Sequence, residues 1–112
     1  MERAKLNTSL YQKMYEEQER YKSELLGMRP EMILEHAYEY VMREDILLAM
    51  EYNDLEPRYA RALLRSETPL ADVFMKWESR QNNYMDHVWD TVVSASNDAF
   101  RTNRIKTRNE SR

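Results

Sequence analysis

Two histidines, His36 and His87, are the only side chains in this 112-residue chain whose ordinary pKa lies near neutrality. To act as a base or a metal ligand, each would need a positioned partner. Glu35 precedes His36 and Asp86 precedes His87, but neighbouring helical side chains point about 100° apart and share no face. Neither histidine belongs to a His-x-x-x-His or Glu-x-x-His pair of the kind that holds zinc on a helix. Asp90, three residues after His87, is spaced for an ordinary surface hydrogen bond. A single glycine leaves no phosphate-cradling loop, and the lack of cysteine removes thiolate metal sites, disulfides and a cysteine nucleophile. A serine nucleophile would need a base and an oxyanion pocket, which small helical bundles seldom supply. These residues point away from an enzyme, and no metal or cofactor is expected.

The charged and aromatic residues are more informative. The net charge is −3, with 33% charged residues, but the charge is unevenly placed. Residues 30–56 hold eight acids and one base, Arg43, whereas residues 101–112 hold five bases and one acid, Glu110. Glu31, Glu35 and Glu39 recur every fourth residue, a spacing at which like charges repel by a few tenths of a kcal/mol per pair. With Glu44 and Asp45 they make an acidic face suited to a basic partner. Arg58, Arg61 and Arg65 form a basic line that could pair with those acids across a bundle, each exposed pair adding about 0–1 kcal/mol. The same arginines are the candidate contacts for a nucleic acid. Eight tyrosines and eight methionines exceed what a small core needs, and Tyr38 and Tyr52 are candidate aromatic anchors.

These residues must be positioned by helices. One glycine and three prolines in 112 residues argue for a few long elements, and all-β folds need many more turn residues. Asn7, Thr8 and Ser9 are candidate caps for a first helix carrying Leu10, Met14, Tyr21 and Leu25, with Gln18 on the same line. Gly27 is the expected stop, in a left-handed conformation. A second helix should run from Pro30 to about Tyr52, burying Ile33, Ala37, Tyr40, Val41 and Leu48, with a break near Arg43–Asp45. A third covers Leu55–Arg65, with Tyr59, Ala62 and Leu63 inward. Thr68-Pro69 should open one long last helix on a stripe from Leu70 through Val73, Phe74, Trp77, Tyr84, Val88 and Val92 to Ala99. The expectation is an all-α compact bundle of four to five helices with a long C-terminal helix. It forms a single domain over 1–112, with flexible tails at 1–6 and about 101–112. No apolar stretch follows Met1-Glu-Arg-Ala-Lys-Leu6, so no secretory signal is expected, and no run of 18 apolar residues suggests a membrane span. A cytoplasmic location follows.

The stretch Glu35-His-Ala-Tyr-Glu-Tyr-Val-Met-Arg-Glu-Asp-Ile-Leu-Leu-Ala-Met-Glu-Tyr-Asn-Asp-Leu55, with Ala62-Leu-Leu-Arg-Ser66 and Pro69-Leu-Ala-Asp-Val-Phe74, resembles a family of small uncharacterised domains. That family occurs in gut bacteria, their phages and conjugative elements. The similarity covers about residues 10–92 and is most specific at Arg43–Leu48 and Asn53–Leu55. The basic extension beyond about Ala95 lies outside the pattern. The resemblance implies no catalytic or binding residues. Its mobile-element setting implies an accessory role, such as inhibition of a host defence enzyme in the manner of an anti-CRISPR protein.

Three functions are consistent with the sequence. The first is a non-enzymatic inhibitor or adaptor that binds another protein, such as a host defence nuclease at its nucleic-acid-binding surface, through the acidic face. The second is a helix-turn-helix-like DNA-binding regulator. Its second helix would present Arg58, Arg61 and Arg65, although the acidic helix before them would repel phosphate. The third is a structural domain that forms a homodimer or higher oligomer through its last helix.

Overall fold

A computed structural model describes residues 2–80 and 83–110, with side chains as far as Arg104. Five helices account for the described chain: α1 (Glu2–Leu26), α2 (Pro30–Tyr52), α3 (Pro57–Leu64), α4 (Pro69–Ser79) and α5 (Tyr84–Glu110). The all-α class and the long C-terminal helix expected from the sequence are both present. Each of the three prolines is the first residue of a helix, where its fixed φ fits and its missing N–H goes unneeded. Among the described residues, no helix is long and apolar enough to cross a membrane.

The chain divides into two compact units, Met1–Glu78 and Ser79–Arg112. Residues 2–6 open α1, with Leu6 packed on the core, and residues 101–110 continue α5. The single last helix expected from Pro69 is two helices, α4 and α5. Asn83 precedes α5, and its carbonyl accepts the His87 N–H at 3.0 Å. Asparagine competes for backbone hydrogen bonds and so favours helix ends over interiors.

In the first unit, Leu10 and Met14 of α1, Leu47 of α2, Ala60 of α3 and Leu70 of α4 form the buried core. Leu6, Tyr11, Ile46, Met50, Leu55, Leu63, Leu64 and Val73 pack around it. The expected line on α1 is present: Leu10, Met14, Gln18 and Leu25 are buried. The other faces are rotated from expectation. On α2 the inward line is Ile33, His36, Tyr40, Arg43, Leu47 and Met50, whereas Ala37, Val41 and Leu48 are exposed. On α3 Ala60 is buried, whereas Tyr59 and Ala62 are exposed. Nor does α2 break near Arg43–Asp45; the helix is continuous and Arg43 points inward.

Polar side chains of α1 tie the other elements down. Asn7 lies inside the helix and serves as a clasp, not a cap. Its Nδ2 donates to the Leu55 carbonyl at 2.8 Å, and the Leu55 N–H donates back to its Oδ1 at 2.8 Å. Lys13 Nζ donates to the Leu64 carbonyl at 2.8 Å, at the C-terminal end of α3 where carbonyls lack helical partners. Glu17, buried, accepts the Leu70 and Ala71 N–H groups at 2.8 and 3.0 Å. Those are the second and third residues of α4, so a carboxylate from α1 caps α4. Gln18 Nε2 reaches the Tyr40 carbonyl at 3.1 Å and Glu44 at 3.0 Å. Gly27 has no positive φ, so α1 ends without the left-handed residue expected. Its last turn closes through Gly27 N–H to Glu24 and Met28 N–H to Leu25, at 3.2 and 3.0 Å.

Candidate partner-binding interface

The five acids expected to form one face have three different fates. Arg43 extends the Glu31-Glu35-Glu39 line by one more turn, and it is the counter-charge that the sequence reading overlooked. Its guanidinium donates to Glu39 Oε2 from both Nε and Nη2, at 3.0 and 2.6 Å. It also approaches Glu17 at 3.8 Å and lies 4.0 Å above the centre of the Tyr21 ring. Only 7% of Arg43 is exposed, so Glu39 is held by a nearly buried guanidinium. Glu44 is exposed but accepts the Gln18 amide. Glu31, Glu35 and Asp45 are exposed and form no ion pair among the described residues.

Glu31 and Glu35 border, and Asp45 interrupts, an apolar line that faces away from the core. Leu34 is 77% exposed and Tyr52 78% exposed, with Val41 and Leu48 between them, also exposed. Leu34, Tyr38, Val41, Asp45, Leu48 and Tyr52 are spaced alternately four and three apart, the period of a helix seam. The line sits about 140° around α2 from the buried one. Tyr38 is anchored: its hydroxyl accepts the Trp77 Nε1–H at 3.1 Å, and its ring meets Phe74 edge-on at 6.2 Å. Tyr52 is the more prominent of the two expected aromatic anchors.

The basic line of α3 does not reach the acids of α2. Arg61 pairs with Glu2 of α1, and Arg58 pairs with Glu56 at 3.4 Å while stacking on Tyr59 at 4.7 Å. Arg65 is exposed at the end of α3. Tyr59 and Ala62 are exposed, and Ala60 packs into the core with Leu10 and Met14 of α1. His36 meets the Tyr21 ring edge-on at 6.5 Å. Among the described residues no three His, Asp or Glu side chains gather into a possible metal site. An open groove is lined by Ala4, Asn7, Thr8, Tyr11, Met50, Glu51 and Asp54, and its Asn7 amide is committed to Leu55.

Burial raises the phenol pKa values of Tyr11, Tyr21 and Tyr40 above the ordinary value. Nearby carboxylates add to the effect: Glu51 at Tyr11, Glu39 at Tyr21 and Glu44 at Tyr40.

No curated protein and no solved structure matches the chain. A family model does match, over residues 6–100, and so extends beyond the 10–92 segment that carries the resemblance and into most of α5. With that coverage, the chain belongs to the family described as "Protein of unknown function (DUF3848)".

Proposed function

We propose that the protein is a non-enzymatic inhibitor or adaptor that binds another protein through the outward face of α2. The observation that supports this reading is the exposed line Leu34, Val41, Leu48 and Tyr52, with Asp45 within it and Glu31 and Glu35 beside it. An apolar strip with an acidic border suits a partner whose surface combines apolar pockets with lysine and arginine. A nucleic-acid-binding surface on a host defence nuclease has that chemistry, and occupying it would block substrate by bulk and by charge. The setting on a mobile element of gut bacteria, acting in the host cytoplasm, rests on the resemblance at Arg43–Leu48 and Asn53–Leu55.

The test is affinity capture from host lysate with three baits: wild type, E31K/E35K and L34D. Both variants change exposed residues, and circular dichroism should show unchanged helicity. The proposal expects a protein retained by the wild type and lost from both variants. A partner held equally by all three baits would refute the α2 reading. A salt-sensitive shift of DNA that disappears in R58A/R61A would replace it with nucleic-acid binding.

A further inference from the structure

Apart from Met32, the exposed residues of α2 fill about 200° of its circumference. Leu34, Val41, Asp45, Leu48 and Tyr52 run along the middle of that arc, within about 60° of one another. From Leu34 to Tyr52 the line is about 27 Å long. Trp77 of α4, bonded to the Tyr38 hydroxyl and itself partly exposed, widens the apolar surface near its start. A convex ridge with alternating spacings of four and three is matched by the seam of a second helix, whose side chains fit between its own. An extended peptide would need a sheet edge for its backbone groups, and the described elements are all helices.

The charges on this face indicate which helix fits it. Glu31 and Glu35 lie on one margin of the seam, Glu44 and Glu51 on the other, and Asp45 within it; all five are exposed. No exposed residue of α2 is a lysine, arginine or histidine. A second copy of α2 would bring five more acids and not one base, whatever its direction or register, so self-pairing is opposed by charge. A helix with lysine or arginine along both margins is favoured instead. Asp45 adds a further requirement. It sits between Val41 and Leu48, where a docked helix would cover it, and a covered carboxylate needs a hydrogen-bonded counter-charge. One position in the partner's own seam must therefore be lysine or arginine. A single polar residue of that kind fixes the register of paired helices.

We propose that α2 binds a basic amphipathic helix of its partner, with one lysine or arginine in that helix's apolar seam set against Asp45, a proposal that rests on the protein-binding role given to this face above. The apolar line supplies contact area, the acidic margins select a basic partner over a second copy, and Asp45 sets the alignment.

The test uses the full-length protein and labelled synthetic peptides about three heptads long, read by fluorescence anisotropy. The first peptide has a leucine seam with one central lysine, and lysine and arginine on its margins. The second replaces the central lysine with leucine, and the third scrambles the first. The first should bind the wild type, and L34D and V41D should each raise its dissociation constant at least about tenfold. Both sites are exposed, and both changes make the protein more acidic, so attraction of charge alone would strengthen binding instead. The scrambled peptide should bind no better to the wild type than to L34D. The wild type should prefer the first peptide to the second by about tenfold, and D45L should reverse that order. Binding of the first peptide that is absent, untouched by L34D or equalled by the scrambled one would overturn the proposal. So would an unchanged preference in D45L, or a wild-type dimer that L34D dissociates, which gives the face to a second copy. A lysate protein released by L34D, with no binding of the first peptide, would refute the helical partner and leave the protein-binding function standing.

Discussion

Arg43 is the residue on which the inner surface of α2 depends. It is nearly buried, yet three groups hold it: Glu39 on its own helix, Glu17 on α1 and the face of Tyr21. Removing one member of a buried ion pair leaves the others uncompensated, which costs more than the pair contributes. Arg43→Ala should therefore lower stability by about 3 kcal/mol, near the bottom of the range for buried pairs because Glu39 still reaches water. Urea denaturation would measure it, and a loss below about 1 kcal/mol would mean that the cluster is solvated. Tyr21→Phe should behave in the opposite way. The Tyr21 hydroxyl is buried without a hydrogen-bond partner among the described residues, and the ring under Arg43 survives the change. Stability should hold or rise by about 1 kcal/mol; a clear loss would reveal a hydroxyl partner.

Among the elements, α1 has two jobs. Its apolar line supplies Leu10 and Met14 to the core, and its polar residues terminate other helices: Lys13 at the end of α3 and Glu17 at the start of α4. Thr68, the residue before Pro69, bonds to Asp72 at 3.3 Å, leaving the α4 N–H groups to Glu17. The end of α1 yields a prediction of its own. A methyl group added at Gly27 would lie 3.6 Å from the Glu24 carbonyl oxygen, an ordinary contact, and φ there is not positive. Gly27→Ala should then stabilise the protein by about 0.4–1 kcal/mol by restricting the unfolded chain. Had the residue been left-handed, the same change would destabilise it, so the sign of the shift in thermal midpoint decides the matter.

For the molecule as a whole, the three buried-side tyrosines set a response to alkali. Tyr11, Tyr21 and Tyr40 all have pKa values raised by burial. A phenol is neutral when protonated, so with a raised folded value the unfolded chain loses its proton first. Their contribution is intact below the unfolded value of about 10 and is lost as pH climbs from there through the folded values. Urea midpoints measured from about pH 8 to about pH 11 should fall in step with phenolate absorbance, more steeply than in a variant with phenylalanine at all three sites. Equal slopes in the two proteins would show that other groups govern the alkaline transition.

Helix was legible from the residues alone because periodicity and the scarcity of chain breakers are local properties. All three prolines open helices, and the buried line of α1 lies where its spacing puts it. The facing of α2 was not legible. Ile33-Tyr40-Leu47 and Leu34-Val41-Leu48 are two lines of equal period and similar hydrophobicity, so spacing alone does not choose between them. Tertiary partners chose: Glu17 and Tyr21 of α1 receive Arg43 on the inner side, and that rotation leaves Leu34, Val41 and Leu48 outside. The acidic face was divided by the same contacts, with Glu39 drawn into the cluster and Glu31 and Glu35 left on the surface. A line of residues is set by spacing within one helix, but which line is buried depends on groups from distant parts of the chain that only folding brings together.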